Sequence, residues 1–95
     1  MKLSVIIPTY NSEKTIERTI QSITTQAQYF SDFEVICVDD GSMDHTWEIL
    51  KKIAATNHLL AIYRQENKKQ AAARNNGLKH ASGDYVMLSL IHISE

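Results

Sequence analysis

Apolar residues recur along this chain in two alternating rhythms. Short, largely apolar runs, Leu3 to Ile7, Phe33 to Val38, Leu59 to Tyr63 and Tyr85 to about Leu90, read as strands, the first of them buried on both faces and the third shorter and weaker. Between them apolar residues recur at helical spacing. Ile16, Ile20 and Ile23 do so from Glu13 to about Gln26, and Trp47, Leu50 and Ala54, widened by Ile49 and Ile53, from His45 to about Ala55. Ala71, Ala72, Ala73, Leu78 and Ala81 mark a third helix from Gln70 to about Ala81, where three successive alanines favour helix and allow close packing on a sheet. Pro8 is expected to end the first strand, because it cannot donate to a central ladder. Asn11 and Ser12 are expected to cap the first helix and Asp44 the second. Gln28 to Asp32 and Arg64 to Lys69 read as loops, and Ser82-Gly83-Asp84 as a turn. The order β-α-β-α-β-α-β predicts an α/β domain of three layers, α/β/α, Rossmann-like, with a mostly parallel sheet and right-handed crossovers.

In an open α/β sheet, ligands bind just outside the carboxyl ends of the strands. Two such ends carry chemistry. Val35-Ile36-Cys37-Val38 runs into Asp39-Asp40-Gly41-Ser42, and the first strand runs into Pro8-Thr9-Tyr10-Asn11. Adjacent residues leaving a strand point in different directions, so Asp39 and Asp40 do not share a proton. One is expected to cap the turn through Gly41 and Ser42, and the other to reach across the sheet edge as an acceptor. Taken alone, a doubled Asp at a turn is more often an Asx-turn with a helix cap than a ligand site. Tyr10 could stack on a planar base or be an ordinary loop tyrosine. Arg74, in the first turns of the third helix, could meet phosphate or be solvated, and Lys68 and Lys69 lie just before that helix.

The 95 residues are one small domain or a piece of a larger one, and a strand with nothing after it suggests the latter. A net charge of −1 points to no nucleic-acid partner. No stretch approaches a membrane span, and the N-terminal apolar run is too short for a signal peptide. The single cysteine, Cys37, reads as a small buried hydrophobe in a reducing, cytoplasmic compartment. His45, His58, His80 and His92 share no metal-ligand spacing. No G-x-G-x-x-G, P-loop, G-x-S-x-G or H-E-x-x-H pattern is present.

Four segments taken together are far more specific. Ser4-Val5-Ile6-Ile7-Pro8-Thr9-Tyr10-Asn11, Val38-Asp39-Asp40-Gly41-Ser42-Met43-Asp44, Ala73-Arg74-Asn75-Asn76-Gly77 and Ala81-Ser82-Gly83-Asp84-Tyr85-Val86 closely resemble the family-2 glycosyltransferases, in their order and spacing. These are inverting enzymes with the GT-A fold that use nucleotide-diphospho-sugars. The resemblance implies that residues 1–88 are the nucleotide-sugar-binding front half of such a domain. Pro8, Thr9 and Tyr10 would line the nucleoside pocket, Asp40 with Asp39 would hold the base, and Arg74 would lie near base and phosphates. It further implies a donor that is a UDP-sugar, a glycan or lipid-linked acceptor, and a role in cell-surface polysaccharide synthesis. The work would be cytoplasmic, at the inner face of the membrane, with membrane association of the full-length protein.

The departure from the family comes after Leu88. The family runs into an Asp-x-Asp that holds Mg²⁺ or Mn²⁺ against the diphosphate. Here Leu90 and His92 fall at those positions, and leucine offers no ligand to a cation that wants oxygen. Residues 89–95 are read as foreign to the family, from a frame change or a fused reading end, with Glu95 a stray carboxylate. No metal ligand is therefore assigned. No catalytic residue is assigned either, because the base comes from the acceptor half. The chain alone is expected to be inactive. Two alternatives share the alternating pattern: a non-catalytic α/β interaction or receiver-like module, and a nucleotidyltransferase. Receivers place their acidic pair after the first strand, and nucleotidyltransferases carry a Gly-rich loop there.

Overall fold

The computed structural model describes residues 2–30, 32–67 and 69–88. Its elements follow the expected order: β1 (Lys2–Thr9), α1 (Ile16–Thr25), β2 (Asp32–Asp39), α2 (Thr46–Thr56), β3 (Leu60–Arg64), α3 (Lys69–His80) and β4 (Tyr85–Leu88). The strands form one sheet in the order β3-β2-β1-β4, with every pairing parallel. The first two crossovers step one way across the sheet and the third steps back over it. With right-handed connections, that reversal places α3 on the opposite face from α1 and α2.

The period-2 rule sorts the core accordingly. Leu3, Val5 and Ile7 of β1 and Phe33, Val35 and Cys37 of β2 pack with Ile16 and Ile20 of α1 and Leu50 of α2. The other face gathers Ile6, Ile36, Val38 and Ala73 under α3. Helix α3 is weakly amphipathic, with Leu78 exposed, so close approach does the work of bulk. Ala73 is fully buried, and a Cβ on Gly77 would lie 2.5 Å from Ile6 Cγ2.

Several local expectations are corrected. Strand β1 runs through Pro8 to Thr9. The Thr9 carbonyl accepts from Asp40 N–H on the β2 side, so alternation turns residue 8, which has no N–H, toward β4. The described part of β4 pairs only as far as Ile6, so no ladder bond is lost among the described residues. Asn11 and Ser12 do not cap α1 with their side chains. The helix begins at Ile16 after a turn in which the Ser12 carbonyl accepts from Thr15 and Ile16 N–H, while its hydroxyl turns back to the Tyr10 carbonyl. A missing side-chain cap costs about 1 kcal/mol. Burial of Ile16 and Ile20, each 1% exposed, outweighs it at roughly 1.5–3 kcal/mol per side chain. The predicted loop from Gln28 instead carries the end of a 3-10 turn, Gln26–Tyr29. The continuation of β4 to Leu90, and the tail 89–95, lie outside the described residues.

At the amino-terminal edge of the sheet, Glu34 ties three segments together. Its Oε2 accepts from Ser4 Oγ (2.5 Å) and Ser82 N–H (2.9 Å), and Oε1 lies 3.5 Å from Lys2 Nζ. Burial pushes this carboxyl up, but those hydrogen bonds and the Lys2 charge outweigh it, and its pKa lies below the ordinary 4.5. Because the folded form binds the proton less tightly, its contribution is present above pH 4.5 and is lost as pH falls through the lowered folded value. Glu34→Gln should therefore lower the urea midpoint at pH 7, by the equivalent of about 1 kcal/mol, and the difference from wild type should close on acidification below pH 4. Gly77→Ala should also destabilise the chain. The helix gains about 1 kcal/mol of propensity, but overpacking the centre of β1 costs about 1–3 kcal/mol, so a net loss is expected in urea denaturation.

Candidate nucleotide site at the carboxyl edge of the sheet

Parallel pairing of β1 with β2 brings both polar ends to one place. Thr9 is in register with Asp39, and Asp40 N–H donates to the Thr9 carbonyl at 2.8 Å. The loops beyond are zipped together. Asn11 N–H donates to Ser42 Oγ (2.8 Å), Met43 N–H to Asn11 Oδ1 (2.8 Å), and Ser12 N–H to Thr46 Oγ1 (2.7 Å). Asn11 has φ of 49°, a left-handed conformation that asparagine tolerates.

The same zipper serves the helix starts. Asp44 accepts from Thr46 N–H (2.9 Å) and Thr46 Oγ1 (2.5 Å), so it caps α2 as expected, although His45 is the formal boundary residue. Its other oxygen takes Glu13 N–H, while Glu13 Oε1 takes His45 N–H at 2.9 Å. The turn before α1 and the boundary residue of α2 thus each donate to a carboxylate from the other loop. Burial pushes Asp44 up, yet its hydrogen bonds from Thr46 and Glu13 prevail, and its pKa is lowered.

The acidic pair diverges. Asp39 is fully buried. Its Oδ1 accepts from Ser42 Oγ and its Oδ2 from Ser42 N–H (3.2 Å), closing the turn at Gly41. Gly41 has φ of +75°, and a Cβ there would approach Asn67 N to 3.0 Å, so the turn requires glycine. Asp39 also faces Arg64 Nε at 3.4 Å, and the same guanidinium donates to the Ser42 carbonyl and lies 5.5 Å from the Trp47 ring centroid. Burial dominates here and raises the Asp39 pKa, against the opposing Ser42 bonds and Arg64 charge. Asp40, 4% exposed, reaches the other way. Its Oδ1 accepts from Gln65 Nε2 (2.9 Å) and its Oδ2 from Lys69 N–H (2.8 Å).

The remaining sequence-designated residues distribute as follows. Pro8 and Thr9 are buried; the Thr9 hydroxyl donates to the Val38 carbonyl (3.2 Å) and meets Cys37 Sγ (3.3 Å), so it points between the strands. Cys37 is a buried thiol pushed up to about 12 by burial, and it is chemically quiet. Tyr10 is half-buried at the mouth of the edge. Arg74 is exposed on α3, with no ion-pair partner among the described residues. It lies between two points where that helix is tied to the edge, Lys69 N–H to Asp40 and Asn76 Nδ2 to Gln65 Oε1 (2.9 Å). Lys68 lies outside the described residues. The sequence places Arg64 and Gln65 in a loop and Asn76 in a segment shared with the family, and assigns none of them a role. The signal available for the first two was position: β3 ends in register with Asp39, at the same edge.

Among the described residues no three His, Cys, Asp or Glu side chains converge as a metal site. The positions of Leu90 and His92 lie beyond the described residues, and a leucine there supplies no donor atom. The donor set does not fit Mg²⁺ or Mn²⁺.

Comparisons with known proteins identify the family. The family model of glycosyl transferase family 2 matches residues 4–89. The chain is 40% identical over 85 residues to glycosyltransferase GlyA of Streptococcus pneumoniae, covering 90% of the chain and 12% of that protein. It is 39% identical over 87 residues to the GalNAc(5)-diNAcBac-PP-undecaprenol beta-1,3-glucosyltransferase of Campylobacter jejuni, covering 90% and 28%. The structure of S. aureus TarS 1-349 in complex with UDP-GlcNAc superposes with a TM-score of 0.79 at 41% identity, over 93% of this chain and 26% of that one. The mannosyltransferase PcManGT of Pyrobaculum calidifontis, in complex with GDP-Man and Mn²⁺, gives 0.81 at 34%, over 88% and 25%. The chain spans 12% of the length of the first of these curated relatives. With a family match across nearly all of its residues and the fold that such enzymes share, the chain belongs to glycosyl transferase family 2.

Proposed function

We propose that this chain is the nucleotide-binding part of an inverting glycosyltransferase that takes a UDP-sugar donor. Pro8, Thr9 and Tyr10 form one wall of the nucleoside pocket, Thr9 through its backbone. Asp40 receives the base, Asp39 shapes the turn beside it, and Arg74 meets the phosphates. The observation that carries this reading is the direction of Asp40. Its carboxylate leaves the strand end toward the β3–α3 loop, while Asp39 is taken up by Ser42 and Arg64. A carboxylate is an acceptor only, and the uracil ring presents N3–H as a donor. Support for the donor class comes from the UDP-GlcNAc complex of TarS.

The acceptor is a glycan or a lipid-linked saccharide in cell-surface polysaccharide synthesis, a reading supported by the undecaprenol-linked substrate in the Campylobacter relative's name. The whole protein would work on the cytoplasmic side, at the inner face of the membrane; no helix among the described residues is long and apolar enough to cross it. PcManGT was solved with GDP-Man and Mn²⁺, and in the whole protein Mg²⁺ or Mn²⁺ would neutralise charge at the diphosphate. Residues 1–88 are the donor-binding segment and 89–95 a non-family tail.

Titration of the 95-residue chain with UDP tests the reading. Binding is expected, with the same affinity in the presence and absence of Mn²⁺, and without sugar transfer from a UDP-sugar. Asp40→Asn should weaken UDP binding about 10- to 100-fold, the worth of a charge-assisted hydrogen bond, with the far-ultraviolet circular dichroism retained. Failure to bind UDP, or a strong enhancement by Mn²⁺, would sink it.

A further inference from the structure

Asp40 is held more firmly than a helix start requires. The Lys69 N–H alone would satisfy the role of a cap at α3, yet the other carboxylate oxygen is engaged through a relay of two side-chain amides. Asn76 Nδ2 donates to Gln65 Oε1 at 2.9 Å, and Gln65 Nε2 donates to Asp40 Oδ1 at 2.9 Å. The relay spans three elements, from the middle of α3 through the end of β3 to the end of β2.

Its direction is fixed by chemistry. Because the Asn76 amide nitrogen occupies the Gln65 oxygen, the Gln65 nitrogen must face Asp40. In the flipped amide an oxygen would oppose the carboxylate, and the Asn76 donor would meet another donor. The backbone of Gln65 is tied as well, its N–H donating to the Asp39 carbonyl at 3.0 Å. Gln65 therefore has little freedom at either end. Bonds to both carboxylate oxygens fix the rotation of the Asp40 group as well as its position.

We infer that Gln65 and Asn76 are positioning residues that aim the Asp40 carboxylate at the N–H edge of the nucleobase in a nucleoside-diphosphate ligand. This rests on the donor-binding reading above. It adds that affinity is set by two amides, one of which, Asn76, lies on a helix and approaches the base only through Gln65. Pre-organisation raises affinity by removing the cost of orienting the acceptor on binding.

UDP binding by the 95-residue chain, measured by calorimetry at pH 7, provides the test, with thermal melts on every variant. Asn76→Ala keeps helix propensity and removes the outer amide; UDP affinity should fall about 3- to 10-fold, in the range of one hydrogen bond. Gln65→Leu should cost about 10-fold or more. Gln65→Glu is the variant that separates aiming from mere scaffolding. It keeps the length of the side chain and can still accept from Asn76, but it turns an acceptor in place of a donor toward Asp40, so UDP affinity at pH 7 should fall at least as far as in Gln65→Leu, with the melting temperature in the range of the other variants. If Asp40→Asn loses UDP while Asn76→Ala and Gln65→Leu bind as wild type, or if Gln65→Glu binds UDP at pH 7 as wild type does, the positioning role is overturned and the donor reading stands. If wild type and Asp40→Asn are alike in taking up no UDP, both fall together.

Discussion

The parallel ladder between β1 and β2 is the constraint on which the rest depends. It runs in register from Lys2 with Asp32 to Thr9 with Asp39, and it extends one bond further, from Asp40 N–H to the Thr9 carbonyl. Only because the ladder continues to that point do the two polar loops emerge side by side. The loops then have no choice but to satisfy one another, and Asn11, Ser12 and Glu13 exchange hydrogen bonds with Ser42 to Thr46. A slip of one residue would turn Ile7 and Cys37 out of the core and Ile6 and Ile36 into the wrong one. The apolar pattern that forbids this slip is thus what assembles the polar edge.

The doubled aspartate shows how one short segment can do two jobs. Successive residues at a strand end face opposite sides, so a carboxylate pair is a pair of separate instruments. The inner one is fully buried, costs desolvation, and is compensated by Ser42 and Arg64, a compensation that builds the Gly41 turn. The outer one is directed to the loop where β3 becomes α3. The turn expected of the motif is built on Asp39, while Asp40 turns to Gln65 and Lys69 N–H.

Much of this was legible in the chain itself. Strand and helix order followed from apolar period, and the helices' faces from Ile16, Ile20, Trp47 and Leu50. The division of labour between Asp39 and Asp40 followed from strand alternation. The misjudged boundaries share a cause: local rules were overridden by partners distant in sequence. Pro8 is tolerated in a strand because its missing N–H faces away from β2. Ser12 gives up its capping role because Thr46 takes its N–H and Tyr10 its hydroxyl. Arg64, Gln65 and Asn76 were opaque for the same reason. Nothing in a run such as Tyr63-Arg64-Gln65-Glu66 says that the arginine will lie by a buried aspartate or that the glutamine will face its neighbour. Those contacts exist only once three strand ends have been brought level.

Lys69, the first residue of α3, has φ of 77°, in the left-handed region that a lysine enters only at a cost, of order 1–3 kcal/mol. Its N–H is held in that posture by Asp40. Asp40 therefore works as a latch on a slightly sprung joint. The strain at the first residue of α3 is thus offset at that same carboxylate, so the orientation of Asp40 and the set of the helix behind it are thermodynamically linked, each biasing the other.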